Sequence, residues 1–205
     1  MRLSALLMRD LASDPEITGV TADSRKAAPG VLFAALPGVK ADGAAFAASA
    51  VEQGAAAVLA AAPIDGLKAP VVVAHDVRRA YALAAKAFHG VQPETCLAVT
   101  GTNGKTSVAV FCRQIFQTLG KSSASLGTLG LTAGDEALTG PGLTTPDAGE
   151  LARMLAELVQ RGVTHLALEA SSHGIEQRRL DGVTLKAAGF TNLTQDHLDY
   201  HGSME

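Results

Sequence analysis

The 205-residue chain reads as an α/β protein. A small N-terminal α/β domain spans residues 1–90, and a P-loop-type central domain with a parallel sheet spans residues 91–205. Three observations predict this. Short apolar or β-branched runs alternate with stretches of helical periodicity, the pattern of strands joined by covering helices. Gly90-Val91-Gln92-Pro93 interrupts that alternation with turn residues. Residues 100–106, Thr-Gly-Thr-Asn-Gly-Lys-Thr, stand between an apolar strand signal and an amphipathic helix signal.

The elements follow in order. Met1 to Ser4 lead into an amphipathic segment broken by Arg9 and Asp10, with neither the apolar region nor the cleavage site of a signal peptide. Ile17–Ala22 and Val31–Leu36 read as strands bounded by Gly or Pro. Asp42–Gly54 reads as an Ala-rich helix, and Ala55–Ala60 and Val71–Ala74 as buried strands. Asp76 caps a helix with Val77, Ala80, Tyr81, Ala84 and Phe88 at helical spacing. Beyond the break, Leu97–Val99 is a short strand. The helix after the Gly-rich loop carries Val108, Phe111, Ile115, Phe116 and Leu119 on one face. Ala124–Leu131 and a polar, Gly-rich stretch to Pro146 come next. Asp147 with Glu150 forms a capping box for a helix burying Leu151, Met154, Leu155, Leu158 and Val159. His165–Ala170 and Ala187–Thr191 read as further buried strands.

Composition excludes several function classes. Of 38 alanines, 26 fall in the first 90 residues and tryptophan is absent, so rings for stacking single-stranded nucleic acid are scarce. A net charge of -3 argues against a basic surface tracking phosphates, and no nucleic-acid partner is expected. The longest run without polar side chains, Ala27–Val39, has 13 residues, and Gly54–Ile64 has 11. A spanning helix needs ~20, so no membrane partner is expected. Cys96 and Cys112 make no metal or redox spacing, and a cytoplasmic location with reduced thiols is expected.

Several residues carry chemistry on their own terms. Glycines in the 100–106 loop let the backbone approach a polyphosphate, and its N–H groups with the helix N-terminus supply partial positive charge. Lys105 can reach β- and γ-phosphates and the Thr106 hydroxyl can ligate Mg²⁺. The full P-loop pattern wants Gly where this chain has Val99, and a Gly-rich turn with a solvated lysine is the alternative. Glu169 ends a strand, where open α/β sheets place ligand chemistry; it is otherwise a solvated terminus. Ser171 and Ser172 next to His173 suggest a hydrolase nucleophile or a helix cap, and no G-x-S-x-G elbow supports the former. Thr144-Thr145-Pro146 suits a ligand contact or a helix lead-in. Arg178 and Arg179 suit an anionic ligand or a solvated surface. Asp196-His197 with Asp199 offers metal ligands at a spacing that chance also produces.

Taken together, these segments resemble the Mur ligases, ATP-dependent amide-forming enzymes of peptidoglycan precursor assembly. The carriers are Asp23-Ser24-Arg25, Thr100–Thr106, Leu143–Pro146, Glu169–His173 and Thr191–Gly202, in that order along the chain. The set is similar to the branch that adds the third residue to UDP-N-acetylmuramoyl-L-alanyl-D-glutamate. The resemblance implies an N-terminal domain holding the UDP moiety through Ser24, backbone at Ala22 and the turn Val39-Lys40-Ala41. It implies that Thr144, Thr145, Ser171, Gln177 and Arg179 grip the muramoyl-dipeptide. Gly101, Thr102, Asn103, Gly104, Lys105, Thr106 and Ser107 would bind ATP. Lys105, Glu169 and His197 would be the catalytic set, with Thr106, Glu169 and His197 holding Mg²⁺.

The implied partners are UDP-N-acetylmuramoyl-L-alanyl-D-glutamate and an incoming amino acid, with meso-diaminopimelate the expected one, and the protein is expected to be a monomer. The resemblance also implies a central domain interrupted at residue 205. A carbamylated lysine and a third domain would lie beyond it, so that the chain alone would not complete synthesis. Two other readings share the loop: a folylpolyglutamate-type ligase, which starts near it, and a noncatalytic nucleotide-binding module. The α/β sequence before the loop, with Asp23-Ser24-Arg25, favours the UDP-muramoyl reading.

Overall fold

A computed structural model describes residues 1–38, 42–140 and 142–203; the expected turn Val39-Lys40-Ala41 lies outside them. The chain groups into two units, Met1–Gly90 with Asp147–Arg153, and Val91–Pro146 with Met154–Glu205. No helix among the described residues is long and apolar enough to cross a membrane.

The first unit contains α1 (Leu3–Leu7), β1 (Gly19–Thr21), β2 (Val31–Ala35), α2 (Ala47–Glu52), β3 (Ala57–Ala60), β4 (Val71–Val73) and α3 (Val77–His89). Its strands form one parallel sheet in the order β1-β2-β3-β4. Both faces are covered, which is why β2 and β3 are apolar throughout instead of alternating. Leu32 and Ala34 join Leu3, Leu6, Leu59 and Tyr81 in one core, while Phe33 and Ala35 join Ala47, Ala50 and Val58 in the other. That split is the strand's period of two.

The helix expected over Asp42–Gly54 begins as a 3₁₀ turn, Gly43–Phe46, and becomes α-helical only at Ala47. Gly43 explains the tighter start, because a Cβ there would stand 2.6 Å from the Leu36 backbone. Asp76 caps α3 by accepting from Arg79 N–H at 3.0 Å, and Gly90 ends it with φ of 76°. Buried Tyr81 donates its hydroxyl to Asp147, which also accepts from Glu150 N–H at 2.9 Å and so starts α5 (Ala148–Gln160). Burial, reinforced by the Asp147 charge, pushes the Tyr81 phenol far above its ordinary range, so it stays a donor.

The second unit contains β5 (Thr95–Thr100), α4 (Lys105–Thr118), β6 (Ser123–Gly127), β7 (Gly130–Ala133), β8 (Glu136–Ala137), β9 (His165–Glu169), α6 (Ser172–Glu176), β10 (Ala187–Phe190) and α7 (Leu198–His201). The sheet runs β10-β5-β9-β6-β7-β8, with the first four strands parallel and the last three antiparallel. The antiparallel edge has no counterpart in the elements read from sequence. It arises at Gly127-Thr128-Leu129-Gly130, where a tight reversal returns the chain beside β6.

In α4, the row Val108, Phe111, Ile115 and Leu119 stands exposed, with Phe111 59% exposed. The side packed on the sheet carries Ala109 and Cys112, set against Val99 and Ala167. Small residues let the helix axis approach the strands closely, which leaves no depth for the bulky row. Likewise β10, expected to be buried, is exposed along its length, with Phe190 65% exposed. Among the described residues it pairs with β5 alone.

The two short helices α6 and α7 meet through rings: His173 lies 4.7 Å from His197, 4.1 Å from Tyr200 and 5.3 Å from His201. Partial burial, then the neighbouring His197 and His201 charges, hold the His173 pKa below its ordinary value. A histidine whose folded pKa is depressed contributes stability above about pH 6.5 and loses it as pH falls, because the unfolded chain binds the proton more tightly.

Two outcomes follow from these packings. Leu32→Ala should lower the unfolding free energy of the N-terminal unit by about 2–5 kcal/mol in denaturant titrations. Urea midpoints should fall between pH 7.5 and pH 5.5, and His173→Gln should reduce that fall; an unchanged pH dependence would refute the ring-cluster account.

Candidate functional site

Strand β5 delivers the chain to its C-terminal end, and residues 100–106 turn there into the N-terminus of α4. The turn depends on two glycines with positive φ: Gly101 at 125° and Gly104 at 88°. At Gly101 space is as restrictive as conformation, because a Cβ would overlap the Thr191 hydroxyl. The loop is held from outside by Thr191–Thr194, which directly follows β10. Thr102 N–H donates to the Asn192 carbonyl at 2.9 Å, and Asn103 N–H to Asn192 Oδ1 at 3.1 Å. Thr191 Oγ1 donates to the Asn103 carbonyl at 2.7 Å, and Thr194 N–H to Thr102 Oγ1 at 2.9 Å. Lys105 folds back over the loop, donating Nζ to the carbonyls of Gly101 at 2.6 Å and Thr102 at 2.9 Å.

Glu169 reaches the same end of the sheet because β9 lies beside β5 with Glu169 opposite Val99. The residue is only 2% exposed. Its carboxylate accepts from Thr128 N–H at 3.0 Å and from the Thr128 hydroxyl at 3.3 Å. Among the described residues no cation lies within ion-pair distance of it. A buried carboxylate held only by neutral donors is costly, and its oxygens suit a divalent cation. A carboxylate and a hydroxyl such as that of Thr106, on the first turn of α4, are oxygens of the kind Mg²⁺ takes, while among the described residues no three His, Cys, Asp or Glu side chains stand together as a metal cluster.

A cavity of about 540 Å³ opens between these elements. Its walls include Thr100, Gly101, Thr102 and Lys105 from the loop, together with Thr144, Ser171 and His197. Lys105 and the hydroxyl-bearing Thr100, Thr102, Thr144 and Ser171 among these walls are groups that an anion can meet. Asn103, Gly104, Thr106, Ser107 and Glu169 belong to the loop or its neighbouring strand and are not among the wall residues. His197 adopts a left-handed backbone, φ 51°, at the start of α7, and its Nε2 stands 3.6 Å from Asp196 Oδ2.

The remaining expected residues divide by role. Thr145 is buried, and its hydroxyl donates to the Glu169 carbonyl at 2.9 Å while accepting from Ser171 N–H at 2.9 Å. Ser171 in turn caps α6, accepting from Gly174 N–H at 3.1 Å, so the capping reading and the cavity position both hold. Arg179 donates to the Thr145 carbonyl at 2.6 Å and to Gln177 Oε1 at 2.7 Å. Gln177 Nε2 donates to the Tyr200 hydroxyl at 2.9 Å, which donates to Glu176 at 2.6 Å. Thr145, Gln177 and Arg179 thus form a polar brace beneath the cavity and are not among its wall residues.

In the N-terminal unit, Ser24 opens a 3₁₀ turn capped by Asp23, whose carboxylate accepts from Arg25 N–H at 3.0 Å and forks with the Arg25 guanidinium at 2.8 Å. The Arg25 side chain holds the Asp23 carboxyl below its ordinary range. Ala22 packs partly buried against the α1/α3 side of the sheet. Thr128, Asn192 and Tyr200 were not singled out from sequence. Their one available signal was their place beside glycines or inside the Thr191–Gly202 run.

Comparison with known proteins agrees with this architecture. The profile of the Mur ligase middle domain matches residues 99–205, and that of the Mur ligase family catalytic domain matches residues 16–89. A UDP-N-acetylmuramoyl-L-alanyl-D-glutamate–2,6-diaminopimelate ligase of Caulobacter vibrioides is 66% identical over 210 residues, covering 100% of this chain and 43% of its own. The enzyme of the same name from Agrobacterium fabrum is 54% identical over 203 residues, covering 99% of this chain and 41% of its own. A solved structure of such a ligase matches with a TM-score of 0.86 at 31% identity, covering 100% of this chain and 42% of its own. The chain thus spans about two fifths of the length of these relatives. With the loop-bearing unit matched from Val99 onward, over more than half of its residues, the chain belongs to the Mur ligase family.

Proposed function

We propose that this chain is the UDP- and ATP-handling part of a ligase that joins a third amino acid, meso-diaminopimelate, to UDP-N-acetylmuramoyl-L-alanyl-D-glutamate. The observation that carries the proposal is the cavity where the 100–106 loop, Thr144, Ser171 and His197 converge beside a buried carboxylate that has no counter-charge among the described residues. Relatives bearing that activity in their names support the substrate assignment. The N-terminal domain, residues 1–90, holds the UDP moiety through Ser24, Ala22 and residues 39–41. The central domain, from residue 91, carries out phosphoryl transfer.

In this reading the glutamyl γ-carboxylate attacks the γ-phosphate of ATP, giving an acyl phosphate and ADP. The amine then attacks the acyl carbon and expels phosphate. Two anions must be brought into line for the first step, and positioning with charge stabilisation supplies most of such catalysis. Lys105 exchanges its bonds to the Gly101 and Thr102 carbonyls for phosphoryl oxygens. Loop N–H groups from Gly104 to Ser107 fix the polyphosphate, those of Thr102 and Asn103 being committed to Asn192. Thr106 and Glu169 would hold Mg²⁺, with His197 serving a second ion; when bound, the metal neutralises charge between carboxylate and triphosphate. Thr144 and Ser171 meet the muramoyl-dipeptide, while Thr145, Gln177 and Arg179 keep those two residues in place.

Lys105→Ala tests the reading. Calorimetric titration with ATP and Mg²⁺ should show affinity falling by about 100-fold or more, in line with loss of a positioned charge at a phosphoryl site. ATP binding near the unmodified level would overturn the assignment of the loop.

A further inference from the structure

Glu169 and Thr144 do not touch, yet both bond to one hydroxyl. Thr128 Oγ1 lies 3.3 Å from Glu169 Oε2 and 3.0 Å from Thr144 Oγ1. The Thr128 N–H adds a 3.0 Å bond to Glu169 Oε1. Thr128 is placed for this by β6, whose Leu126 pairs with Leu168 of β9, so that the next residues run alongside Glu169. Gly127 leaves room for it, since a Cβ at that position would overlap the Glu169 carboxylate.

We propose that Thr128 is a positioning residue that orients the Glu169 carboxylate toward the metal and makes Thr144 a hydrogen-bond acceptor for the ligand. The inference rests on the reading of Glu169 as a metal ligand. The Thr128 hydroxyl has one proton and donates it to Glu169 Oε2. Were it turned to Thr144, two lone-pair-bearing oxygens would face each other at 3.3 Å. Thr144 must therefore donate its own proton to Thr128. Its free lone pairs face the cavity it helps to line, and the ligand group they meet is a donor: an amide N–H or a sugar hydroxyl, not a phosphate or carboxylate oxygen. One exposed threonine thereby ties metal geometry to the chemistry of the substrate loop.

Mn²⁺ is the probe, titrated into the chain in the presence of ADP and followed by water-proton relaxation, with thermal unfolding checked in parallel. Outer ligands of metal sites govern affinity strongly, so Thr128→Val should weaken Mn²⁺ binding about tenfold and Thr128→Ser should restore it to within about twofold. Glu169→Gln should lose at least as much as Thr128→Val. Wild-type affinity in Thr128→Val with a loss in Glu169→Gln would overturn the role of Thr128 and leave the metal reading standing. Unchanged affinity in both variants would overturn the two together. A Thr128→Ser protein that melts like wild type but binds like Thr128→Val would also refute the hydroxyl's role.

Discussion

Everything at the candidate site follows from one alignment, the parallel pairing of β5 with β9 that sets Val99 opposite Glu169. Parallel strands end on the same side of a sheet, and a side chain at one terminus stands beside the loop that leaves the other. The phosphate loop and the acidic residue are about 70 positions apart in sequence, and neither has a local reason to find the other. The ladder fixes their separation before any ligand is considered. A shift of one residue would turn Glu169 to the opposite face of the sheet and end its meeting with Thr128.

Around that alignment the unit uses neutral groups to hold charged ones. Lys105 rests on two carbonyls and Glu169 on one threonine. Among the described residues neither stands in an ion pair, so a ligand of opposite charge has no competitor to displace at either. The brace from Arg179 through Thr145 and Gln177 is the counterpart: its polar atoms are satisfied internally, and its contribution is rigidity. The same residue types, threonine and a charged side chain, thus do opposite jobs according to whether their bonding capacity is already filled.

Much of this was legible in the sequence, and the exceptions have physical reasons. Strand positions and the Asp76 and Asp147 caps declared themselves because they depend on local patterns, apolar runs and side chains placed before a helix. Periodicity placed a bulky apolar row on α4 correctly, but could not tell which side of the helix the sheet would take. The close approach of Ala109 and Cys112 to Ala167 settled it. Ala187–Thr191 was read as buried from composition alone, while burial depends on neighbours that composition does not contain. Thr128 was invisible for the same reason: an isolated threonine after a glycine carries no signal until β6 and β9 are side by side. Thr145, Gln177 and Arg179, expected as ligand contacts from the family resemblance alone, are joined to one another in the structure by hydrogen bonds through Arg179.

The strap formed by Thr191–Thr194 ties the 100–106 loop to the strand that precedes the strap. β10 pairs in parallel with β5, the strand that delivers the loop, so both arms of the turn leave the same ladder. The bonds to Thr102 and Asn103 cross between those two arms, so the loop's geometry is set by the register of one strand pair.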